Sequence, residues 1–342
     1  MDDAIGPGLL GRTLDELRAI AAEAALPPFA ADQLAGWLYR QHATGFEEMT
    51  NLPKAARAAL AARYDVGRCP PAAEAVSSDG TKKYLFPTAA GGPVETAFIP
   101  DAGRATLCVS TQSGCRRACR FCHTGRIGFY GNLTAGEILN QYASLPERDA
   151  VTNLVFMGMG EPLDNLDATL RSVGALTAAW GYAMSPTRIT VSTIGLLPAL
   201  QRLIDETRVH IALSLHSPFP DERRRFLPAE GQHPAAAAID ALRRGRIGGQ
   251  RRVMIEYIGF AGVNDTPRHA EALARLLRGL RCRVNLIPFN PWPGAPLAPS
   301  PRAALEAFQH VLKARDIMTT IRRSRGADIA AACGMLRGER EA

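Results

Sequence analysis

From residue 106 to residue 288, short runs of β-branched and apolar residues alternate with longer stretches whose apolar positions recur at helical spacing. The runs at 106–111, 153–158, 188–192, 209–214, 253–258 and 282–288 are too short for helices, and they predict six strands, each followed by helix. Strand–helix units in series imply a parallel sheet with helices outside it, either an open doubly wound sheet or a partial barrel. Upstream the period is helical. Thr13 and Glu16 have capping-box spacing, Pro27-Pro28 ends the first helix, a second starts at Phe29 and runs to His42, and an Ala-rich third covers 53–64. After Pro70-Pro71, the runs 83–86 and 94–99 predict a β-hairpin. The expected organisation is a helical module over 1–68, a linker and hairpin over 69–104, and an α/β domain over 105–342.

Charge narrows the partner. Forty Lys and Arg against 33 Asp and Glu leave a formal charge of +7, which favours a polyanion, with nucleic acid ahead of a membrane surface. No apolar run approaches the roughly 18 residues of a membrane span. Asp2 and Asp3 stand where a secretory signal needs basic residues, so a cytoplasmic protein is expected. Arg40, Lys54, Arg57 and Arg63 give the helical module its basic side chains. Five arginines lie between Arg243 and Arg252, and Lys313, Arg315, Arg322, Arg323 and Arg325 lead toward the C-terminus. Solvated helix faces carry such charges too; that reading is strong for Arg243 to Arg252 and weaker for Arg322 to Arg325, which lead into a cysteine's loop.

Of seven cysteines, Cys115, Cys119 and Cys122 share one loop with the spacing C-x3-C-x2-C. An odd total with three clustered is no disulfide ladder; in a reducing compartment it signals metal or chemistry. A structural zinc needs four ligands, so a zinc loop would have to recruit His123 or another residue. A [4Fe-4S] cube on three thiolates keeps one iron open to a small molecule, which is a use for the missing ligand. Other polar residues gather at predicted strand ends: Gly160-Glu161, Ser192, Ser214, His216 and Asn290. In both candidate architectures the carboxyl ends of the strands carry the chemistry.

The three-cysteine spacing is the signature of the radical S-adenosylmethionine (SAM) superfamily. The segment Cys108-Val-Ser-Thr-Gln-Ser-Gly-Cys115, with Cys119, Phe121-Cys122 and Thr124-Gly125, resembles the RlmN/Cfr family of RNA adenine methyltransferases. So do Asn132-Leu-Thr134, Met157-Gly-Met-Gly-Glu-Pro162, Ser214-Leu-His216, Asn285-Leu-Ile-Pro-Phe-Asn-Pro291 and Ala332-Cys-Gly334, in order along the chain. His123 departs from the Ser or Ala of better-known members.

The resemblance implies a partial (β/α)6 radical SAM barrel, a [4Fe-4S] cluster on Cys115, Cys119 and Cys122, and SAM as cofactor. It implies that Gly160 and Glu161 bind the methionine amino group, and that Ser192, Ser214, Leu215, His216 and Asn290 make further SAM contacts. Cys333 matches the methyl-carrying cysteine, Cys108 the thiol that releases product through a transient disulfide, and Glu95 an acid/base residue. The adenine C2 and C8 carbons are electrophilic, so direct methyl transfer to either fails; a cysteine thiolate accepts the methyl group first. The implied partners are ribosomal or transfer RNA and an electron donor such as flavodoxin or ferredoxin, acting on a monomer. Cys69 and Cys282 match no functional position. Two alternatives stay open: another radical SAM enzyme with a non-RNA substrate, and a non-enzymatic zinc-containing RNA-binding protein.

Overall fold

The computed structural model describes residues 7–245 and 247–338; Asp2, Asp3, Arg246 and the last four positions lie outside the described residues. The N-terminal part is helical, with α1 (Leu14–Glu23), α2 (Ala30–Ala35) and α3 (Lys54–Ala61). The Thr13/Glu16 capping box forms: Glu16 N donates to Thr13 Oγ1 (3.3 Å) and Thr13 N to Glu16 Oε2 (2.8 Å). Helix α2 passes into a π-helical turn over Gly36–Arg40, so the expected single helix over 29–42 is two unlike pieces. Leu17, Leu34, Leu38 and Tyr39 bury the apolar stripe of this module.

The remainder is built on one ten-stranded sheet. Strands β1 (Ala73–Val76), β2 (Lys82–Phe86), β3 (Val94–Asp101) and β4 (Arg104–Cys108) form an antiparallel meander. The expected hairpin is therefore one turn of a larger device that continues directly into the barrel strands. From β4 the pairing becomes parallel through β7 (Asn153–Phe156), β8 (Ile189–Thr193), β9 (His210–Ser214), β10 (Val253–Gly259), β11 (Cys282–Pro288) and β12 (Thr319–Ile321). Connecting helices are α4 (Ala135–Ala143), α5 (Leu166–Thr177), α6 (Ala199–Glu206), α7 (Pro220–Phe226), α8 (Ala235–Arg244), α9 (Pro267–Leu276) and α10 (Arg302–Lys313). The six expected parallel strands are all present, and short β12 is a seventh. Its three residues are too few to show periodicity; its pairing with β11 defines it. Strands β1 and β12 do not pair, so the barrel stays open.

A separate ribbon of β5 (Gln112–Gly114) and β6 (Phe129–Asn132) splits off where the reading of 106–111 placed one unbroken strand end. This ribbon brackets the three-cysteine loop. Among the described residues no helix is long and apolar enough to cross a membrane.

Candidate active site

The β5–β6 ribbon closes the neck of the cysteine loop: Cys115 N donates to Gly128 O at 2.7 Å. Gly114 has φ 72°, and a Cβ there would lie 2.1 Å from Gly128 O, so the neck requires glycine. Arg117 makes a two-pronged ion pair with Asp164, while Arg120 N donates to Phe226 O at 2.9 Å. Phe121 anchors the loop by packing against His216 (4.8 Å between centroids), Phe260 (5.8 Å) and Phe226 (6.2 Å).

Cys119 is buried, and Cys115 and Cys122 are half-buried. Burial pushes the Cys115 thiol up to about 12 and Cys119 well above its ordinary value, and in both cases neighbouring loop cysteines add repulsion. Three adjacent thiolates in such a place are favourable only when a cation balances them, which a metal cluster does. Three loop thiolates fall one short of the four ligands a structural zinc requires. A cube instead distributes its three thiolates over three irons. The proposed fourth zinc ligand, His123, lies flat on Trp292 with centroids 5.1 Å apart and planes 9° apart. The donor set therefore suits the cube.

Gly160 has φ 96°, and a Cβ there would meet Gln112 Cβ at 2.5 Å, so glycine lets β7 end against the cysteine-loop ribbon. Glu161 is buried: Leu163 N donates to Oε1 (3.1 Å) and Ile194 N to Oε2 (3.0 Å). Burial holds its carboxyl up at about 7 against the downward pull of these hydrogen bonds and that of Thr193. Ser192 and Ser214 are half-buried at the ends of β8 and β9, and Leu215 is fully buried.

His216 is buried in a left-handed conformation (φ 61°), and its Nδ1 accepts from Ile258 N at 3.1 Å. Burial and the Arg223 charge push its pKa down to about 3, so the ring is neutral and only Nε2–H remains as a donor. Asn264 fixes the same corner by donating to His216 O (2.6 Å) and Ile258 O (2.8 Å).

The C-terminal segment docks onto this assembly. His123 N donates to Gly334 O (2.8 Å) and Thr124 Oγ1 to Leu336 O (2.6 Å). Asn290 Nδ2 donates to Cys333 O (3.4 Å), while Asn290 Oδ1 accepts from Ser324 Oγ (2.6 Å), so its amide positions the segment. Cys333 keeps an exposed face, although packing around it raises its thiol pKa; Arg322 opposes that rise, and Glu256 and Cys122 add to it. Cys108 is buried beneath Ile329 and Ala331, and burial first, then Cys333, pushes its thiol up. The two thiols thus come near one another from positions far apart in sequence. All seven cysteines are free, so the disulfide expected of Cys108 and Cys333 is not present in this structure.

Residues 109–277 match the radical SAM superfamily, and residues 8–66 match the ribosomal RNA large subunit methyltransferase N-terminal domain. A probable dual-specificity RNA methyltransferase RlmN from Porphyromonas gingivalis is 52% identical, over 96% of each chain. The dual-specificity RNA methyltransferase RlmN of Alkalilimnicola ehrlichii is 42% identical over 97% of this chain and 94% of its own. A radical SAM methyltransferase from Sphaerobacter thermophilus superposes with a TM-score of 0.91 at 44% identity, covering 97% of this chain and all of that one. The chain belongs to the RlmN family of radical SAM methyltransferases.

Within this RlmN-family site, sequence reasoning missed Arg223. It sits in the run Arg223-Arg224-Arg225, which reads as a solvated charge cluster, yet it is fully buried. It pairs with Glu230 and donates to Leu215 O (2.9 Å), Ser214 O (3.0 Å) and Ile194 O (3.0 Å), holding the ends of β8 and β9 together. The available signal was its place one turn into a helix beginning Pro220-Asp221. Arg223→Ala strands the buried Glu230 carboxylate and three carbonyls, and is expected to destabilise the protein by about 3–5 kcal/mol, measured by denaturant unfolding. A cost below ~1 kcal/mol would show that this hub is dispensable.

The basic runs separate similarly. Arg251 is buried and donates to Val209, Ile204 and Leu203 carbonyls, so it is structural and not a phosphate ligand. Arg63 pairs with Glu23, Arg57 donates to Glu47 O, Arg40 donates to Ala179 O, and Lys54 is exposed. Arg322 and Arg323 are exposed beside the Cys333 segment.

Proposed function

We propose that the protein methylates a ring carbon of adenine, C2 in preference to C8, in ribosomal RNA, transfer RNA or both. The observation that carries this reading is the convergence of exposed Cys333 with the three-cysteine loop on one side and Cys108 on the other. Relatives named dual-specificity RNA methyltransferases support the substrate class. Arg322 and Arg323 are suited to guide phosphates to the thiol, and a flipped-out base is the form in which an adenine edge reaches such a site.

Cys115, Cys119 and Cys122 would hold the [4Fe-4S] cluster; Gly160, Glu161, Ser192, Ser214, Leu215, His216 and Asn290 would surround SAM. When bound, these groups supply a single electron, a methyl group and a hydrogen-abstracting radical. The chain's own residues do the rest. Cys333 as thiolate accepts the methyl group by displacement and later presents its carbon to adenine. Glu95 removes the proton from the adduct. Cys108 attacks the Cys333 sulfur, freeing the base and leaving a disulfide that must be reduced before the next cycle. A small flavodoxin- or ferredoxin-type carrier as electron donor, a monomeric state, a cytoplasmic location and the domain limits 1–68, 69–104 and 105–342 complete the reading.

Mass spectrometry of digested ribosomal and transfer RNA tests the function: deletion of the gene should remove methyladenine, and the wild-type gene should restore it. Unchanged RNA would refute it. Cys108→Ala should leave methyl transfer to Cys333 and addition to RNA intact, so that RNA accumulates on Cys333. A nuclease-sensitive shift on denaturing gels reports this adduct, whereas normal turnover of the variant would remove Cys108 from the release step.

A further inference from the structure

Glu95 is wholly buried on β3, and both its carboxylate oxygens lie against protein groups. Oε2 accepts from two successive amides, Arg337 N (2.7 Å) and Gly338 N (3.1 Å), and Oε1 pairs with Lys83 Nζ at 3.0 Å. Successive N–H groups converge on one anion only where the chain turns sharply, and Gly338 supplies that turn with φ 70°. A Cβ at Gly338 would lie 2.7 Å from Pro93 O, so the backbone is seated closely against the strand carrying Glu95. The engaged amides lie just beyond Cys333, and between them and Cys333 the Gly334 and Leu336 carbonyls are held by the cysteine loop.

We propose that Glu95 is a latch: its carboxylate holds the C-terminal segment closed on the cysteine loop and so positions Cys333, and it reaches an RNA proton only after that segment lifts. The second clause rests on the reading above; the first rests on geometry alone. A general base must come within hydrogen-bond reach of its proton. Here both oxygens already face protein donors, and the side chain has no access to solvent. Receipt of the methyl group by Cys333 therefore belongs to the latched state and proton removal to the open one. Glu95 becomes a positioning residue for the first half of the reaction as well as the base of the second.

Amide hydrogen exchange over residues 326–338 of the cluster-loaded enzyme reads the latch without any turnover. Two variants separate it from a base-only role: Glu95→Gln, and truncation after Leu336, which removes the amide donors and leaves Glu95 in place. Both should exchange about ten-fold faster in this segment, the effect of losing a hydrogen bond to a charged group, while other segments stay unchanged. Both should also carry less methyl on Cys333 by peptide mass spectrometry. If Glu95→Gln shows wild-type exchange and full Cys333 methylation with only the RNA step blocked, the latch is refuted. Wild-type exchange in the truncated protein refutes it equally, and that variant decides the matter if Glu95→Gln fails to fold. An unmethylated Cys333 in the wild type would sink the functional reading while the exchange result still decides the latch.

Discussion

Cys119→Ala is expected to leave anaerobically reconstituted protein with iron and sulfide at background and no detectable SAM cleavage. Cys119 is the most enclosed of the three loop thiols, buried where Cys115 and Cys122 both raise its pKa. Two thiolates cannot hold a cube whose fourth corner must remain free, and the neighbouring His123 ring is stacked on Trp292. The fold should survive, since Arg117–Asp164, the β5–β6 ribbon and Phe121 anchor the loop independently of metal. Iron and sulfide analysis, visible absorbance and circular dichroism together check the result. A folded Cys119→Ala protein with full iron content would overturn the assignment of the loop, and a colourless wild type holding zinc would favour a non-enzymatic binding protein.

Cys333→Ala has the opposite pattern, with the cluster intact and product lost by at least about ten-thousand-fold, the scale seen when a nucleophile is removed. The side chain is exposed, so its truncation leaves no cavity, and the segment stays anchored through backbone groups: the Cys333 carbonyl to Asn290, the Gly334 carbonyl to His123, and the Leu336 carbonyl to Thr124. What disappears is the sulfur proposed to carry the methyl group. SAM cleavage without methylation is expected to persist in this variant, and the wild-type protein isolated from cells is expected to carry one extra methyl group on the Cys333 peptide. Methylated RNA from Cys333→Ala, or a wild-type peptide that is never modified, would remove the cysteine from the mechanism.

Glu161 shows how a residue can be picked out by sequence while its surroundings are not. Its motif is local, Met157-Gly-Met-Gly-Glu-Pro162, and the strand before it follows from apolar periodicity. Its hydrogen bond from Ile194 N spans 33 residues, and burial, which raises its pKa, depends on every element packed around it. Arg223 is the converse: its sequence neighbourhood reads as solvent, and only the meeting of β8, β9 and α7 turns it into a buried hub. The seventh parallel strand, the β5–β6 ribbon and the extra strand of the antiparallel meander were illegible for a related reason. Segments of three or four residues carry too little pattern, and their pairing partners define them.

The sequence by itself determined the alternation of strand and helix, the capped helix start at Thr13, and the three-thiol loop. All of these are written in spacings of a few residues, within which backbone geometry and ligand reach act. Only the tertiary structure decided that Glu95 faces the amides of Arg337 and Gly338 at sequence separations of 242 and 243, that Cys108 lies under the segment bearing Cys333, and that Asn290 holds that segment. Contacts of this range are selected by the burial of whole faces and by the need to pair every buried polar group, and neither is encoded in any short stretch of chain.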